Sequence, residues 1–373
     1  MKTAQSTTLQ ALFYGLRGIL CLGLIGMVVL GAFFWFPAKV HYHVTEQYRF
    51  SGGNEDALIY VGIMLPKDGP YQKIENVEIS WDGVYREEEF GSVHVLKLTG
   101  GKSRGENLTA SIEYDVTLPQ GAVSWSAPVE SFQRLPQAGI ESDCDCLQAK
   151  AAELSEGISE KDAYSVYSFT ADYLTYSRAE MGCTSVSALK AFEIGSCVCA
   201  GYARLMTALC RASDIPSQMV IGLVYPDPMF RSKITSFPQN PGEAHAWVEY
   251  YSDGNWTMAD PTWGGKRLKI LQFNRNDGRH LAYGELEQVL SADKALKGWA
   301  YGQASHVVGN DKCFRFIATS TAGRVSFVPT TSIHRGWDGR WANMLVAWGV
   351  TTGLLCKYRR KIVGLPRQKT ESL

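Results

Sequence analysis

Gly195-Ser-Cys-Val-Cys199-Ala-Gly-Tyr-Ala203, read with His245-Ala-Trp-Val-Glu249 and Asp260-Pro-Thr-Trp263 downstream, decides what this chain is. The three stretches supply a thiol, an imidazole and a carboxylate in chain order. Thiol-based acyl transfer needs that set: a nucleophile, a base to take its proton, and an acid to fix the base's tautomer. After Cys199 the residues Tyr202, Leu205, Met206, Leu209 and Cys210 recur at helical spacing, and Asp214-Ile-Pro216 stops the run. With Ser196 as the N-cap, Cys199 lies in the first helical turn. Unpaired N–H groups and the positive end of the helix dipole there favour a thiolate over a thiol.

The other two groups come from a hairpin. His245 to Tyr251 alternates as a strand, Ser252-Asp-Gly-Asn255 is a turn signal, and Trp256 to Asp260 reads as the returning strand. With Asp253-Gly254 as a two-residue turn, Ser252 opposes Asn255, and counting outward sets His245 opposite Thr262. Asp260 then shares the face of His245, one diagonal step away, at roughly 7 to 8 Å between backbones. A three-residue loop would slip the register by one and send the two side chains to opposite faces.

On these residues the chain resembles the transglutaminase-like superfamily, in the form of a bacterial membrane-anchored protein. The matching features are Cys199 before Gly201-Tyr-Ala203, a helix, Ile215-Pro216, a strand leading into Gly222, the His-Ala-Trp strand and Asp260-Pro-Thr262. The resemblance implies that Cys199, not Cys197, is the nucleophile, that His245 is its base and that Asp260 orients the base. Ser159 to Tyr176 resembles the family's helix ending in a tyrosine, and Ser185 to Phe192 the short helix before the cysteine. The likeness runs from near Glu141 to near Thr262. It implies a papain-like α+β catalytic domain.

Other readings compete residue by residue. A buried structural cysteine is the usual fate of a Cys, and a surface histidine and a turn-flanking carboxylate are the plain readings of His245 and Asp260. Trp247, Trp256 and Trp263 read as core and cleft wall. Cys144-Asp-Cys146 and Cys197-Val-Cys199 fall short of the usual zinc spacing and lack matching histidine pairs, so no metal and no organic cofactor is expected. Bridges among Cys144, Cys146, Cys183, Cys197 and Cys313 stay open, since spacing gives no connectivity. Asn107-Leu-Thr109 and Asn255-Trp-Thr257 match glycosylation acceptors, a pattern that also arises by chance. Pro226 to Gly242 carries four prolines and reads either as a cleft-lining loop or as a surface excursion. His280 and His306 receive no role.

Two apolar runs set the expected location. Gly18 to Phe36 has no polar or charged side chain and is long enough to cross roughly 30 Å of hydrocarbon. A cleavable signal peptide is the alternative, although Phe34-Trp-Phe36 offers no small-residue cleavage site. Lys2 and Arg17 precede the run, which keeps the N-terminus cytoplasmic under the positive-inside bias. Trp341 to Cys356 is a shorter, borderline span followed by Lys357-Tyr-Arg-Arg-Lys361; the competing reading is an amphipathic or core helix.

The expected organisation is thus a cytoplasmic N-terminus and transmembrane helix over 1–37, an all-β sandwich-like domain over 38–140 and a catalytic domain over 141–335. A second span over 341–356 and a basic cytoplasmic tail over 357–373 complete it. His41 to Phe50, Ala57 to Met64, Ile74 to Trp81, Ser92 to Leu98 and Leu108 to Leu118 read as the sandwich strands. From Ala149 to Tyr176 the pattern is helical, and Phe314 to Thr330 reads as a closing strand pair. Thirty-seven basic residues balance 37 acidic ones without a basic stripe, which argues against a nucleic-acid partner. The expected partners are a membrane and a peptide, protein or cell-wall amide substrate. Hydrolysis of amide bonds leads, with amine transfer to a glutamine carboxamide behind it; a non-catalytic peptide-binding scaffold is the reading from another class.

Overall fold

The computed structural model describes residues 19–32, 37–177, 186–225, 243–265, 269–311 and 314–363. Strand alternation builds the first half. β1 (Ala38–Ser51) and β6 (Leu108–Ala122) bury every second side chain over most of their length, as strands with one face on a core do. Between them come β2 (Ala57–Leu65), β3 (Lys73–Ser80), β4 (Val84–Phe90) and β5 (Val93–Lys102). β2 is buried almost continuously toward its end, because both of its faces are covered. Tyr48 of β1 meets Phe316 edge-on at 5.6 Å on one side. On the other, Gly62 lets Leu296 approach so closely that an added Cβ would lie 2.8 Å from it.

The second half begins with α2 (Asp145–Leu154) and α3 (Ser159–Tyr173), then β7 (Thr175–Tyr176), α4 (Ala188–Ile194), β8 (Ser196–Cys197) and α5 (Cys199–Ala212). The single helical stretch expected from 149 to 176 is broken at Gly157, whose φ of 77° no helix accommodates. α5 is buried on nearly all sides, with α2, α3 and α4 packed against it and β9 (Ser217–Val224) and β10 (Glu243–Ser252) beneath it. Burial of Leu205, Met206 and Leu209 contributes roughly 1.5–3 kcal/mol each. Of its two buried arginines, Arg211 donates to the carbonyls of Ser217 and Leu135 and Arg204 to that of Val186. β11 (Asn255–Ala259), α6 (Pro261–Gly264), β12 (Arg275–Asp277), β13 (His280–Glu285) and α7 (Leu286–Gln303) follow. An antiparallel sheet runs in the order β11-β10-β9-β13.

The strands after α7 return to the sheets of the first half. β14 (His306–Asn310), β15 (Phe316–Ser320) and β16 (Ser326–Asp338) do not close the catalytic region; they complete the sandwich. One sheet runs β12-β6-β1-β16 with β3 also on β6, and the other β14-β15-β2-β5-β4. β15 lies antiparallel to β2, Ala318 opposite Val61. β12 pairs with β6 while β13 pairs with β9, so the corner Asp277-Gly-Arg-His280 carries the chain from the sandwich into the catalytic sheet.

Two units partition the chain: Met1–Lys39 with Trp337–Leu373, and Val40–Gly336. The expected spans lie in the first. Among the described residues no helix is long and apolar enough to cross a membrane. Residues 19–32 of the first run form a helix, α1; residues 1–18 and 33–36 lie outside the described residues, as does the proline-rich loop 226–242. The second run sits inside α8 (Gly339–Val363), which has the length. Asn343, Gly349, Thr351, Thr352 and Gly353 dilute its apolar side chains, with both threonine hydroxyls donating back to the helix carbonyls of Ala347 and Trp348.

Candidate active site

The hairpin takes the two-residue turn. Asp253 and Gly254 both have positive φ, 51° and 83°, the combination that matches the twist of the flanking strands. Ser252 then opposes Asn255 and Val248 opposes Ala259. The ladder stops at Ala259, so Thr262 does not pair with His245 as expected but lies in α6; Asp260, just past the last paired residue, still sets Oδ2 2.9 Å from His245 Nε2, both side chains buried. Asp260 also caps α6, its Oδ1 accepting the Thr262 N–H at 2.9 Å. The carboxylate is thereby pinned at both oxygens.

Cys199 lies in the first turn of α5, as expected, but at its first position, because the N-cap is Val198 and not Ser196. Ser196 and Cys197 are instead drawn into a short parallel pairing with Thr175 and Tyr176. The Gly201 and Tyr202 N–H groups reach Val198 O at 2.9 and 3.4 Å. Amides before them, that of Cys199 included, have no acceptor within the helix. Cys199 is partly exposed, whereas Cys197 is fully buried and pressed against Gly201, where an added Cβ would lie 2.5 Å from its sulfur. Burial first, and the neighbouring Cys199 second, push the Cys197 thiol up to about 12. Cys197 is a packing residue.

His245 carries the electrostatic signature of the site. Burial opposes its charge, yet the Asp260 carboxylate, its hydrogen bond and a further hydrogen bond to the Cys199 side chain raise it to about 10. With Nε2 on Asp260, Nδ1 is the nitrogen left for the thiol. Asp260 moves the opposite way: burial favours its neutral form, but His245 and then His280 hold it well below the carboxylate range. Asp260 thus favours the charged form of the His245 imidazole.

His280, which has no role on sequence grounds, joins the pair from β13. Its Nε2 lies 3.3 Å from Asp260 Oδ2, the same oxygen that His245 uses, and its Nδ1 lies 3.0 Å from Asp277 Oδ1. Both partners are carboxylates, which only accept, so both ring nitrogens donate and His280 is charged. Against the cost of burial, Asp277 and Asp260 raise its pKa. Arg279 closes the chain with Nε and Nη2 on Asp277 Oδ2 at 3.0 and 2.8 Å, and its guanidinium lies 4.3 Å from the Trp263 ring centroid. Trp263 in turn covers His245 at 5.2 Å and His280 at 5.4 Å. Trp247 and Trp256 are core, as read; Trp263 walls the imidazole.

Gly222 makes this assembly possible. It sits on β9 between His245 of β10 and Ala282 of β13, and a Cβ there would lie 2.1 Å from Leu281 O and 2.7 Å from the Trp247 ring. Only glycine lets β13 come near enough to set His280 behind Asp260. His245, Asp260 and His280 are also the one group among the described residues whose potential metal-ligating atoms gather within 4.8 Å. The near nitrogens of both histidines already bond to one oxygen, Asp260 Oδ2.

Residues 148–261 match the model of the Transglutaminase-like superfamily. No curated protein matches the chain. Among solved structures, a protein described as a candidate cysteine protease from Cytophaga hutchinsonii is similar at 16% identity with a TM-score of 0.49, over 80% of this chain and 92% of that one. The periplasmic domain of TgpA from Pseudomonas aeruginosa is similar at 17% identity with a TM-score of 0.32, over 62% of this chain and 91% of that one.

Proposed function

With residues 148–261 belonging to the transglutaminase-like superfamily, we propose that this chain is a thiol-dependent acyl-transfer enzyme acting on amide bonds of peptides or cell-wall material. The observation that carries the reading is the buried His245–Asp260 pair, 2.9 Å apart, hydrogen-bonded to a thiol at the start of a helix. Cys199 attacks the amide carbonyl, and the tetrahedral oxyanion draws on the Cys199 N–H. The proton held on His245 goes to the leaving amine as the carbon–nitrogen bond breaks. Water, or a primary amine, then attacks the thioester with His245 as base. Hydrolysis is the favoured outcome and transamidation the next. A buried His245–Asp260 pair beside a partly exposed thiol disfavours a purely peptide-binding role, because a binding cleft gains nothing from two histidines held on one buried carboxylate.

The same reading places the catalytic unit outside the cytoplasm on a membrane anchor. It draws support from Ile19, Leu20, Leu22, Leu24, Met27 and Leu30 on α1, all exposed, and from Trp341, Leu345, Val346, Trp348 and Val350 on α8, exposed too. Apolar surface left open on that scale in a soluble chain marks an interaction site, and lipid is the partner suggested by the basic residues after 356. The test presents glutamine-containing and cell-wall peptides with and without a primary amine. Cys199-dependent release of ammonia or cleaved peptide supports the enzyme; peptide binding with no product at all makes it a scaffold.

A further inference from the structure

Outside the triad, Cys144 and Cys146 stand at the start of α2 with their sulfurs 2.8 Å apart. Cys144 is the N-cap residue; its carbonyl accepts from Leu147 and Gln148 at 3.0 and 2.9 Å, fixing the turn that holds the two side chains together. Cys146 is exposed and Cys144 half-buried. A soft metal ion would need further ligands, and the one cluster of three or more potential ligands among the described residues lies elsewhere. What the pair has is a thiol neighbour within reach: a sulfur–sulfur bond of about 2.05 Å asks the side chains to close by less than about 1 Å.

The two thiols are unequal. The hydrogen bond from Cys146, followed by the backbone N–H groups of Cys146 and Leu147, lowers the Cys144 thiol, as a helix start does for an N-cap sulfur. Local desolvation, then the bond to Cys144 and its charge, push Cys146 up to about 11. Cys144 is thus a half-buried nucleophile and Cys146 an exposed, protonated reserve held against it.

We propose that Cys144 and Cys146 form a thiol–disulfide exchange site, independent of Cys199, that cycles between a dithiol and an intramolecular disulfide with a low-molecular-weight disulfide as oxidant. The Cys144 thiolate attacks one sulfur of the small disulfide, forming a mixed disulfide and expelling one small thiolate. Cys146 gives up its proton and attacks the Cys144 sulfur, expelling the second. Two protein thiols are oxidised, one small disulfide is reduced to two thiols, and the two protons released end on those thiols. The small thiol drives the same steps in reverse.

The test uses the full chain carrying Cys199→Ala, so that its outcome does not depend on acyl transfer. The protein is equilibrated in glutathione buffers from reducing to oxidising, quenched in acid, alkylated with iodoacetamide and digested for mass analysis. The peptide spanning 144–146 should lose two hydrogens and resist alkylation under oxidising conditions, and recover both under reducing ones. Adding Cys146→Ser should trap glutathione on Cys144, while adding Cys144→Ser should leave Cys146 capturing glutathione at least about tenfold more slowly. Alkylation of both thiols in oxidising buffer, a bridge from either to another cysteine, or equal capture at the two positions would overturn the proposal.

Discussion

Replacing Asp260 with asparagine removes the one group on which both histidines converge, and the size and pH dependence of the loss follow from the geometry. Oδ2 accepts from His245 and His280 while Oδ1 accepts the Thr262 N–H, so every contact of the carboxylate is a donor pointing inward. An amide must turn its own NH₂ toward one of them. Removing one partner of a buried ion pair costs about 3–5 kcal/mol. The rise of His245 from 6.5 to about 10 gives a ceiling of ~5 kcal/mol at ~1.4 kcal/mol per tenfold, and both figures describe one interaction counted once. The sign is set by which way each group moves. His245 is raised in the folded state, so its contribution is complete below about 6.5 and is lost as pH climbs toward about 10; His280 moves in the same direction. Asp260 is lowered, so its contribution is present above the ordinary carboxylate range and lost in acid. Urea unfolding of the full chain and of Asp260→Asn, at half-unit steps from pH 5 to 10, should show a stability gap near 3–5 kcal/mol at pH 5–6 that narrows steadily toward pH 10. A gap independent of pH, or one that widens as pH rises, would refute the ion-pair reading.

Other substitutions probe the supporting residues. His280→Gln deletes a charged donor to Asp260 and should lower kcat about 10- to 100-fold with KM within about twofold; an unchanged kcat would reduce His280 to filling. Gly222→Ala forces β13 away from β9 and should cost at least ~2 kcal/mol in urea unfolding together with most activity; wild-type behaviour would show that the approach of β13 is not needed. Cys197→Ala should cost about 1 kcal/mol by leaving a small void while rapid thiol labelling persists at Cys199; loss of that labelling would exchange the roles of the two cysteines.

The pairing of His245 with Asp260 was legible in the sequence because it is local. Asp253-Gly254 dictates a two-residue turn, the turn dictates the register, and the register places the imidazole on the carboxylate's face. Cys199 was legible for a similar reason, through the helix that starts at it. His280 was not. It reaches Asp260 only because β13 lies on the far side of β9 from β10, and sheet order across three strands leaves no periodicity in the chain. The same limit hid the completion of the sandwich: β15 and β2 are partners across more than half the sequence, so Phe316 to Ser320 looked like part of the nearer domain. The N-cap was misread because Ser196, an ordinary capping residue, is taken by backbone pairing with β7. β4 went unread because its Arg86-Glu-Glu-Glu89 run lacks apolar alternation, and it is held at the sheet edge by backbone pairing with β5.

Direct capture of the acyl-enzyme is the most immediate test that Cys199, His245 and Asp260 perform acyl transfer. The full chain is mixed with a glutamine-containing peptide ester, quenched in acid within milliseconds to seconds, digested and mapped by mass. Wild type should carry the acyl group as a hydroxylamine-labile thioester on the peptide holding Cys199, Cys199→Ala should carry none, and His245→Ala should form it at a rate reduced at least about 10³-fold. Acylation at any other residue, or an equal yield from Cys199→Ala, would contradict the assignment.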